Sequence, residues 1–396
     1  MTAAPAARRL LRLGTRSSPL ALAQSRLVAT ALQAAHPGLV VELVPMSTRG
    51  DQLPGDLTKI GGKGLFTAEL EAGLLDGSLD LAVHSLKDLP VRSVDELTIA
   101  AYPERADPRD VLVSEVATRV AELPRGAPVL TSSLRRQAQL LAIRPDLEIV
   151  PVRGNVETRL RKWRESGAAA TVLAAAGLAR LGLADEPAHA IAAGELLPAP
   201  GQGTLAVQVR RGGEAETLCA ALDHTPTRAA AAAERAVVAA FGGDCTLPLA
   251  AWARRTRGGS ALSALLAAVD GSEVVRAEVA GTDAATVAAT CVSQLRERGA
   301  DALLTRIHAS RSRLREGGLE PYENLSGDSG VEAFELGPDF IRVQFRTGGV
   351  YLYTYESAGT ENVEKMKGLA RAGRGLATFI SQHALVRNGY VADKAG

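Results

Sequence analysis

A dense group of reactive side chains follows a short apolar run in the first quarter of the chain. His84, Ser85, Lys87 and Asp88 come directly after the apolar segment 79–83, and a proline two positions further on ends the element. A carboxylate at the end of a buried strand, beside an ammonium group, can be held rigidly and can have its pKa tuned for proton transfer. A single Lys-Asp pair would suit a solvated turn equally well, so the catalytic interpretation depends on the rest of the chain.

Four further segments combine hydroxyls, cations and glycines at strand-to-helix transitions. They are 15–22 (TRSSPLAL), 59–66 (KIGGKGLF), 131–137 (TSSLRRQ) and 153–159 (RGNVETR). Free amides at a helix N-terminus attract anions, and guanidinium groups there can hold carboxylates or phosphates through two parallel hydrogen bonds. The arginines of these segments therefore predict a cleft for a ligand with many carboxylates. They are Arg16, Arg135, Arg136, Arg153 and Arg159.

The glycine-rich segment 59–66 has a different role from that of a nucleotide-binding loop. It lacks the spacing and the terminal Lys-Ser/Thr pair of such loops, which argues against an NTPase. We expect instead a flexible lid that carries Lys59 and Lys63 over a polyanionic ligand.

The three cysteines differ in their surroundings. Cys219 and Cys291 lie on apolar helical faces, where a thiol is usually a small core residue, whereas Cys245 stands in a Gly-Gly-Asp-Cys turn. That position makes Cys245 a candidate nucleophile or attachment point. The cysteines have no paired spacing, so neither a disulfide framework nor a thiolate zinc site is indicated.

The composition is that of a globular protein without a strong charge bias. The chain has 396 residues, 46% of them hydrophobic, and a net charge of +1. This length suggests two to four domains, and the balanced charge gives no global signature of nucleic-acid or membrane binding. No apolar run approaches the roughly 18 residues that span a bilayer, so we expect a cytoplasmic protein.

The alternation of apolar and helical patterns predicts two α/β lobes. The first covers 10–102 and the second 111–181, and Pro-rich segments at 103–110 and 197–203 cross between them. The strand 204–209 is expected to return to the first lobe. Two crossings between α/β lobes predict a hinged cleft, with the ligand at the carboxyl ends of the strands.

Composition also suggests where the remaining domains begin and end. The predicted parts are lobe 1 at 10–103 and 204–221, lobe 2 at 109–197, a small α+β domain with Cys245 at 225–303, a linker at 304–332 and an α+β appendage at 333–396. Within the appendage, 340–353 predicts a hairpin and 361–370 a helix.

Seven ordered segments together resemble the hydroxymethylbilane synthase (porphobilinogen deaminase) family. They are 15–22, 59–66, 83–90, 131–137, 153–156, 198–203 and the Cys245 loop. The resemblance covers roughly residues 10–303. It implies three domains, of which the first two are similar to periplasmic binding proteins.

The resemblance also implies a reaction in haem and porphyrin biosynthesis. A member of this family joins four porphobilinogen molecules head to tail, with release of ammonia, and passes the product hydroxymethylbilane to uroporphyrinogen III synthase. It acts as a monomer on a dipyrromethane cofactor, which the resemblance attaches through a thioether to Cys245 in the domain 225–303. No nucleic acid or membrane partner is implied for this core.

Site residues follow from the same match. The resemblance makes Asp88 the catalytic carboxylate, which stabilises the cation left by loss of ammonia and handles the pyrrole N–H protons. Cofactor contacts are implied for Lys59, Ser85, Lys87, Thr131, Ser133, Arg135 and Arg136. Substrate contacts or supporting positions are implied for Arg16, Ser18, Gln24, Arg153, Arg159, Arg180 and Gln202.

Two features depart from the family pattern. Asp244 directly precedes Cys245, and its charge is expected to raise the thiol pKa and to slow cofactor attachment without preventing it. The tail from about 305 is extra, and 340–389 weakly resembles a short domain found after some lysyl-tRNA synthetases. Its binding partner, whether RNA, protein or none, stays open.

Two other function classes are compatible with parts of the sequence. A carboxylate-binding module without catalysis would share the cleft and the arginines but would need neither Asp88 nor Cys245. A phosphate-ligand enzyme that uses 61–64 would bind nucleotides. Cofactor mass on the protein and nucleotide binding therefore discriminate between these classes.

Overall fold

The computed structural model describes most of the chain, in two compact units. It describes residues 9–396 except 48–66, 92–93, 184, 243–246, 316–318, 326, 328, 347–349, 384–385, 388–389 and 393–396. The units comprise 1–307 and 308–396. The predicted lid and the Cys245 turn, with Lys59, Lys63 and Cys245, lie outside the described residues.

Lobe 1 is built on a five-stranded sheet with the strand order β2-β1-β3-β10-β4. The strands are β1 (Arg9–Arg16), β2 (Leu39–Met46), β3 (Leu81–Ser85), β4 (Leu97–Ala101) and β10 (Leu205–Arg210). The helices are α1 (Pro19–Ala35), α2 (Ala68–Asp76) and α6 (Glu214–Cys219). β1 is parallel to β2 and β3, whereas β10 is antiparallel to β3 and β4. The predicted return of the chain to the first lobe is therefore confirmed.

Lobe 2 repeats this plan with the order β7-β6-β8-β5-β9. Its strands are β5 (Asp110–Val113), β6 (Pro128–Leu130), β7 (Glu148–Val150), β8 (Ala170–Ala174) and β9 (Ala188–Ala190). Its helices are α3 (Leu134–Ile143), α4 (Val156–Ser166) and α5 (Ala175–Leu181). β5 is antiparallel to β8 and β9, just as β10 is antiparallel to its neighbours in lobe 1. Two α/β lobes joined by two crossings confirm the predicted fold class.

Polar residues fix where the helices of the lobes begin. Ser18 caps α1 by accepting a hydrogen bond from the amide of Ala21, and Ser133 caps α3 by accepting one from Arg136. Asn155 does the same for α4. A side-chain oxygen at this position satisfies an amide that would otherwise lack a partner in the helix. The caps therefore set the N-termini of these helices at the ends of the strands.

The third part of unit 1–307 is a three-stranded antiparallel sheet packed against helices. The strands are β11 (Leu249–Thr256), β12 (Gly259–Ala267) and β13 (Val274–Gly281), and the helices are α7 (Thr225–Ala240), α8 (Ala284–Glu297) and α9 (Ala300–Arg315). Pro226 lies in the first turn of α7, where its fixed φ is tolerated. α9 runs on past 304, because Leu303 and Ile307 are buried in the core of this domain.

The unit 308–396 has its own five-stranded sheet and core. Its strands are β14 (Glu320–Pro321), β15 (Val331–Leu336), β16 (Phe340–Phe345), β17 (Val350–Thr354) and β18 (Tyr390–Ala392), and its helices are α10 (Tyr355–Ala358), α11 (Thr360–Arg371) and α12 (Leu376–Gln382). β16 and β17 pair antiparallel, with Ile341 opposite Tyr353, as the predicted hairpin requires. None of the helices in the described parts of the chain is long and apolar enough to cross a membrane.

Candidate active site

Two adjoining cavities collect many of the predicted site residues. The larger, whose free space of about 530 Å³ includes open solvent, is lined by side chains from both lobes and by the second crossing segment. Its polar lining includes Lys87, Arg136, Arg159, Arg180 and Gln202. The smaller, of about 320 Å³, is lined by Arg16, Thr67, His84 and Asp88. Gln24 and Ser85 border both cavities.

The turn after β3 presents the catalytic candidate. Lys87 and Asp88 lie on one turn of 3₁₀ helix directly after the strand, and both side chains are exposed. The turn is fixed to the segment that precedes β10, because the backbone amide of Leu86 donates to the carbonyl of Thr204 over 3.0 Å. Behind it, the amide nitrogen of Gln24 lies 3.0 Å from the hydroxyl of Ser85. The carboxylate of Asp88 is therefore carried on a rigid base at the carboxyl end of a buried strand.

Guanidinium groups from lobe 2 and its helices form the opposite wall. The side chain of Arg159 donates to the carbonyl of Gly154 over 2.8 Å, and that of Arg180 donates to the carbonyl of Gly203 over 2.6 Å. Burial lowers the pKa of Arg159 and of Arg180 to about 10, which leaves both groups protonated at neutral pH. This wall therefore offers fixed positive charge to an anionic ligand.

Asp110, which was not predicted from the sequence, holds the adjacent guanidinium groups of Arg135 and Arg136. Asp110, at the start of β5, is entirely buried, and its Oδ2 lies 2.8 Å from Nη1 of Arg135. Its Oδ1 lies 2.7 Å from Nη2 of Arg136. Burial favours the neutral acid, yet the two guanidinium groups outweigh it and hold the pKa of Asp110 well below its usual range. In the sequence, Asp110 carries no signal that separates it from the nearby Asp107.

An amide connects this buried cluster to the catalytic turn. The Nε2 of Gln202 lies 2.9 Å from Oδ1 of Asp110 and 2.8 Å from the carbonyl oxygen of Pro108. The Nζ of Lys87 donates to Oε1 of Gln202 over 3.4 Å. The ammonium group of lobe 1 is thereby linked to the ion cluster of lobe 2.

The smaller cavity contains two further polar groups. The Nε2 of His84 lies 2.9 Å from Oε1 of Gln208, and burial lowers the pKa of His84 to about 4. The imidazole is therefore neutral at physiological pH. The hydroxyl of Thr67, which sequence reasoning did not single out, is buried in this cavity wall and has no hydrogen-bond partner among the described residues.

Not all the predicted residues line these cavities. Among the described residues, the linings do not include Ser18, Thr131, Ser133, Arg135 or Arg153. Ser18 and Ser133 cap helices, the hydroxyl of Thr131 accepts a hydrogen bond from the amide of Ser133, and Arg135 lies buried against Asp110. The structure therefore separates residues that face the cleft from residues that support it.

Solved structures match this chain only at low identity and low TM-score. The periplasmic aliphatic sulphonate binding protein SsuA from Escherichia coli matches at 16% identity with a TM-score of 0.32, over 51% of this chain and 62% of its own. The probable amino-acid ABC transporter extracellular-binding protein ytmK from Bacillus subtilis matches at 11% identity with a TM-score of 0.33, over 54% of this chain and 88% of its own.

Family profiles and curated relatives give a much closer match. A profile for the porphobilinogen deaminase dipyromethane cofactor binding domain matches residues 11–217, and one for the porphobilinogen deaminase C-terminal domain matches 229–298. Porphobilinogen deaminase of Acidothermus cellulolyticus is 47% identical over 76% of this chain and 92% of its own. That of Xanthomonas campestris pv. campestris is 49% identical over 75% of this chain and 99% of its own. The chain therefore belongs to the porphobilinogen deaminase family.

Proposed function

We propose that Asp88 is the catalytic carboxylate of this chain and that Cys245 is its cofactor attachment point. As a family member, the chain is a transferase of tetrapyrrole biosynthesis that joins four porphobilinogen molecules head to tail with release of ammonia. The observation that carries the proposed role of Asp88 is its position. It is an exposed acid on a rigid turn, next to a cleft in whose described lining the other charged side chains are arginines and a lysine.

The donor set of the cleft fits the dipyrromethane cofactor. Each pyrrole of this cofactor bears an acetate and a propionate, so it needs several cations within a short distance. The larger cavity supplies Lys87, Arg136, Arg159 and Arg180 on its lining. We infer that these four side chains hold the acid groups of the cofactor and of the growing chain. When bound, the cofactor supplies the terminal pyrrole ring to which the first substrate is joined.

Asp88 is placed to act on the substrate. Loss of ammonia breaks the C–N bond of the aminomethyl arm and leaves a cationic methylene-pyrrolenine, which an adjacent carboxylate stabilises electrostatically. The same oxygen atoms can accept a hydrogen bond from a pyrrole N–H and can hold a proton in transit. His84 borders the same cavity but is neutral, so it adds no positive charge where the substrate cation forms.

The location, oligomeric state and product acceptor of the protein are inferred from its family. We propose that the protein works in the cytoplasm as a monomer and passes hydroxymethylbilane to uroporphyrinogen III synthase. Neither a nucleic acid nor a membrane is needed for this activity. The predicted domain limits, with 225–303 as the attachment domain, belong to the same proposal.

Intact-mass measurement tests the cofactor assignment. The purified protein should be heavier than its chain by roughly the mass of two linked pyrroles, and the excess should map to the peptide that contains Cys245. Cys245→Ser should lack the excess, whereas the matched control Cys291→Ala, at a buried thiol of the third domain, should keep it. An unmodified wild-type chain that still turns over porphobilinogen would contradict the assignment.

Turnover of Asp88→Asn tests the catalytic assignment. Because the side chain is exposed, the variant should keep its thermal stability. Loss of the positioned carboxylate should lower turnover about 10²- to 10⁴-fold. Near-normal turnover in the folded, cofactor-loaded variant would overturn the role of Asp88.

A further inference from the structure

A continuous set of hydrogen bonds runs from a buried carboxylate to an exposed ammonium group. Asp110 has no solvent-accessible surface, whereas the side chain of Lys87 is exposed in the cleft next to Asp88. Gln202, which is 1% exposed, lies between them and contacts both. Buried polar groups of this kind form one network, in which changing one member alters the others.

The hydrogen bonds determine the orientation of the Gln202 amide. Its nitrogen has two protons, and two acceptors, the carbonyl of Pro108 and Oδ1 of Asp110, lie within hydrogen-bond distance of it. Rotating the amide by half a turn would place its oxygen against these two oxygen atoms. The oxygen of the amide must therefore point to the other side, where the Nζ of Lys87 donates to it.

Asp110 also holds the guanidinium group of Arg136 in the cleft wall. Oδ1 lies 3.2 Å from Nε and 2.7 Å from Nη2 of Arg136, and Nη1 of the same group donates to the carbonyl of Val172 over 2.8 Å. Hydrogen bonds from Nε, Nη1 and Nη2 therefore hold this planar group in place. Because Arg136 also lines the larger cavity, its position there depends on Asp110.

The network joins parts of the chain that the fold keeps separate. Asp110 stands where the first crossing segment enters β5, and Gln202 belongs to the second crossing segment. Lys87 follows β3 of lobe 1, whereas Arg136 lies on α3 of lobe 2. Both crossings and both lobes therefore meet in one group of four side chains.

We propose that Asp110 is a positioning residue for two cationic side chains of the cleft, Arg136 and Lys87. It fixes Arg136 directly, and it fixes the ammonium group of Lys87 beside Asp88 through the oriented amide of Gln202. This inference rests on the proposed function of Asp88, but the geometry behind it does not depend on turnover.

Several charged groups surround Lys87, and they set the expected response. Asp88 neighbours it in sequence, Asp110, Arg135 and Arg136 face it from lobe 2, and Arg159 and Arg180 line the same cavity. The cleft walls limit hydration of the ammonium group and thereby lower the pKa of Lys87. The negative charges of Asp88 and Asp110 raise this pKa, and the positive charges of Arg136 and Arg135 lower it. Removing the charge of Asp110, or the acceptor on Gln202, should therefore lower the pKa of Lys87 further.

The test measures the reactivity of Lys87 directly. The holoenzyme is treated briefly with acetic anhydride at a series of pH values, and acetylation of Lys87 is quantified by peptide mass spectrometry against the exposed Lys162 on α4. In Asp110→Asn and in Gln202→Met, Lys87 should titrate at least about half a pH unit lower, which is about a threefold gain in the unprotonated fraction at pH values well below its midpoint. Asp107→Asn, an exposed acid in the same crossing segment, should leave the profile of Lys87 unchanged.

The double variant separates positioning from a structural role. If Asp110 acts on Lys87 through Gln202, Asp110→Asn combined with Gln202→Met should shift the titration of Lys87 by less than the sum of the single shifts. The alkaline limb of the kcat profile should move in the same direction in both single variants. A wild-type titration of Lys87 in both folded single variants would overturn the proposal.

The test does not require Asp110→Asn to fold, and it does not require the proposed reaction to occur. If Asp110→Asn does not fold, Gln202→Met alone decides, because methionine fills a similar volume without the amide. Acetylation requires no turnover, so a protein without porphobilinogen turnover would overturn the proposed function and leave this measurement intact. An unshifted Lys87 in an active Gln202→Met enzyme would overturn the positioning role alone.

Discussion

Two carboxylates in unit 1–307, Glu234 and Asp110, are equally buried but have different surroundings. Glu234, on α7, accepts hydrogen bonds from the guanidinium of Arg105 at 2.6 and 3.2 Å and from the amides of Gly201 and Ala253 at 2.6 and 2.7 Å. One cation and two backbone amides thus saturate one carboxylate. This cluster ties both crossing segments to the third domain.

Asp110 faces two cations instead of one. Its carboxylate contacts the guanidinium groups of Arg135 and Arg136 and the amide of Gln202. The cluster therefore carries an excess positive charge, and Arg136 places part of it in the cleft wall. A balanced buried pair has no charge to offer a ligand, whereas an excess of cations does. We infer from this difference that the Glu234 cluster is structural support and that the Asp110 cluster supports ligand binding.

Outside the cleft, the largest stability loss is expected for Glu234→Gln. The variant leaves the guanidinium of Arg105, whose side chain is 11% exposed, without a compensating charge. Breaking such a buried pair costs about 3–5 kcal/mol. Urea unfolding should show this loss, while the folded variant should keep the KM of the wild type. A variant of normal stability with a raised KM would remove the distinction between the two clusters.

A pH-dependent loss of stability is expected from His84, which has a neutral partner instead of a charged one. Burial lowers its folded-state pKa to about 4, below the ordinary value of 6.5, so the unfolded chain binds more protons between these values. Stability should therefore fall as the pH decreases from about 6.5 to 4, by at most about 3 kcal/mol. Asp110, with its pKa lowered, loses its contribution only at more acidic pH.

Unfolding free energies across this pH range check the assignment. His84→Gln should flatten the dependence between pH 6.5 and 4, whatever its effect on stability at neutral pH. An unchanged slope in this variant would show that other groups, and not His84, account for the acid sensitivity.

Disturbing the contact between the two crossing segments should lower the free energy of unfolding by a smaller amount. Gly203 has a φ of +85°, and a Cβ at this position would lie 2.5 Å from the carbonyl oxygen of Ala106 in the first crossing. Gly203→Ala should therefore cost about 2 kcal/mol, from strained φ and from the backbone contact. Gly212→Ala is the matched control, because Gly212 has a φ of +74° with no neighbour within 4 Å. Equal losses in the two variants would show that the contact between the crossings contributes nothing.

Much of the fold could be predicted because local signals and tertiary packing agree. In α1, Ser18 and Pro19 mark the start of the helix in the sequence, and its apolar face packs into the core of lobe 1. β9 was missed because three residues, Ala-His-Ala, are too short a run to show the alternation of a strand. The predicted linker begins at 304, but this position lies within α9. The Arg, Ser and Glu residues after 304 resemble the composition of a linker, whereas Leu303 and Ile307 pack in the core of the third domain.

Only some of the site could be predicted, because sequence patterns identify residue types but do not show which way their side chains point. Arg135 and Arg136 are adjacent, and nothing in the sequence indicates that only Arg136 of this pair lines the cavity. Asp110 was missed because its importance depends on burial against helix α3, which is distant in sequence. The cleft could thus be located from motifs, but its supporting network could not.

The smallest effect is expected for Asp107→Asn, in the same crossing segment as Asp110. Asp107 pairs with Arg109 over 2.6 Å, but the two side chains are 37% and 46% exposed. Water and salt screen such a pair, so its loss should change the unfolding free energy by at most about 1 kcal/mol. The same acid-to-amide change at Asp110 leaves two buried guanidinium groups without a counter-charge and should cost several times more. If the two variants lost equal stability in parallel urea titrations, burial of the carboxylate would not explain the difference between these two acids.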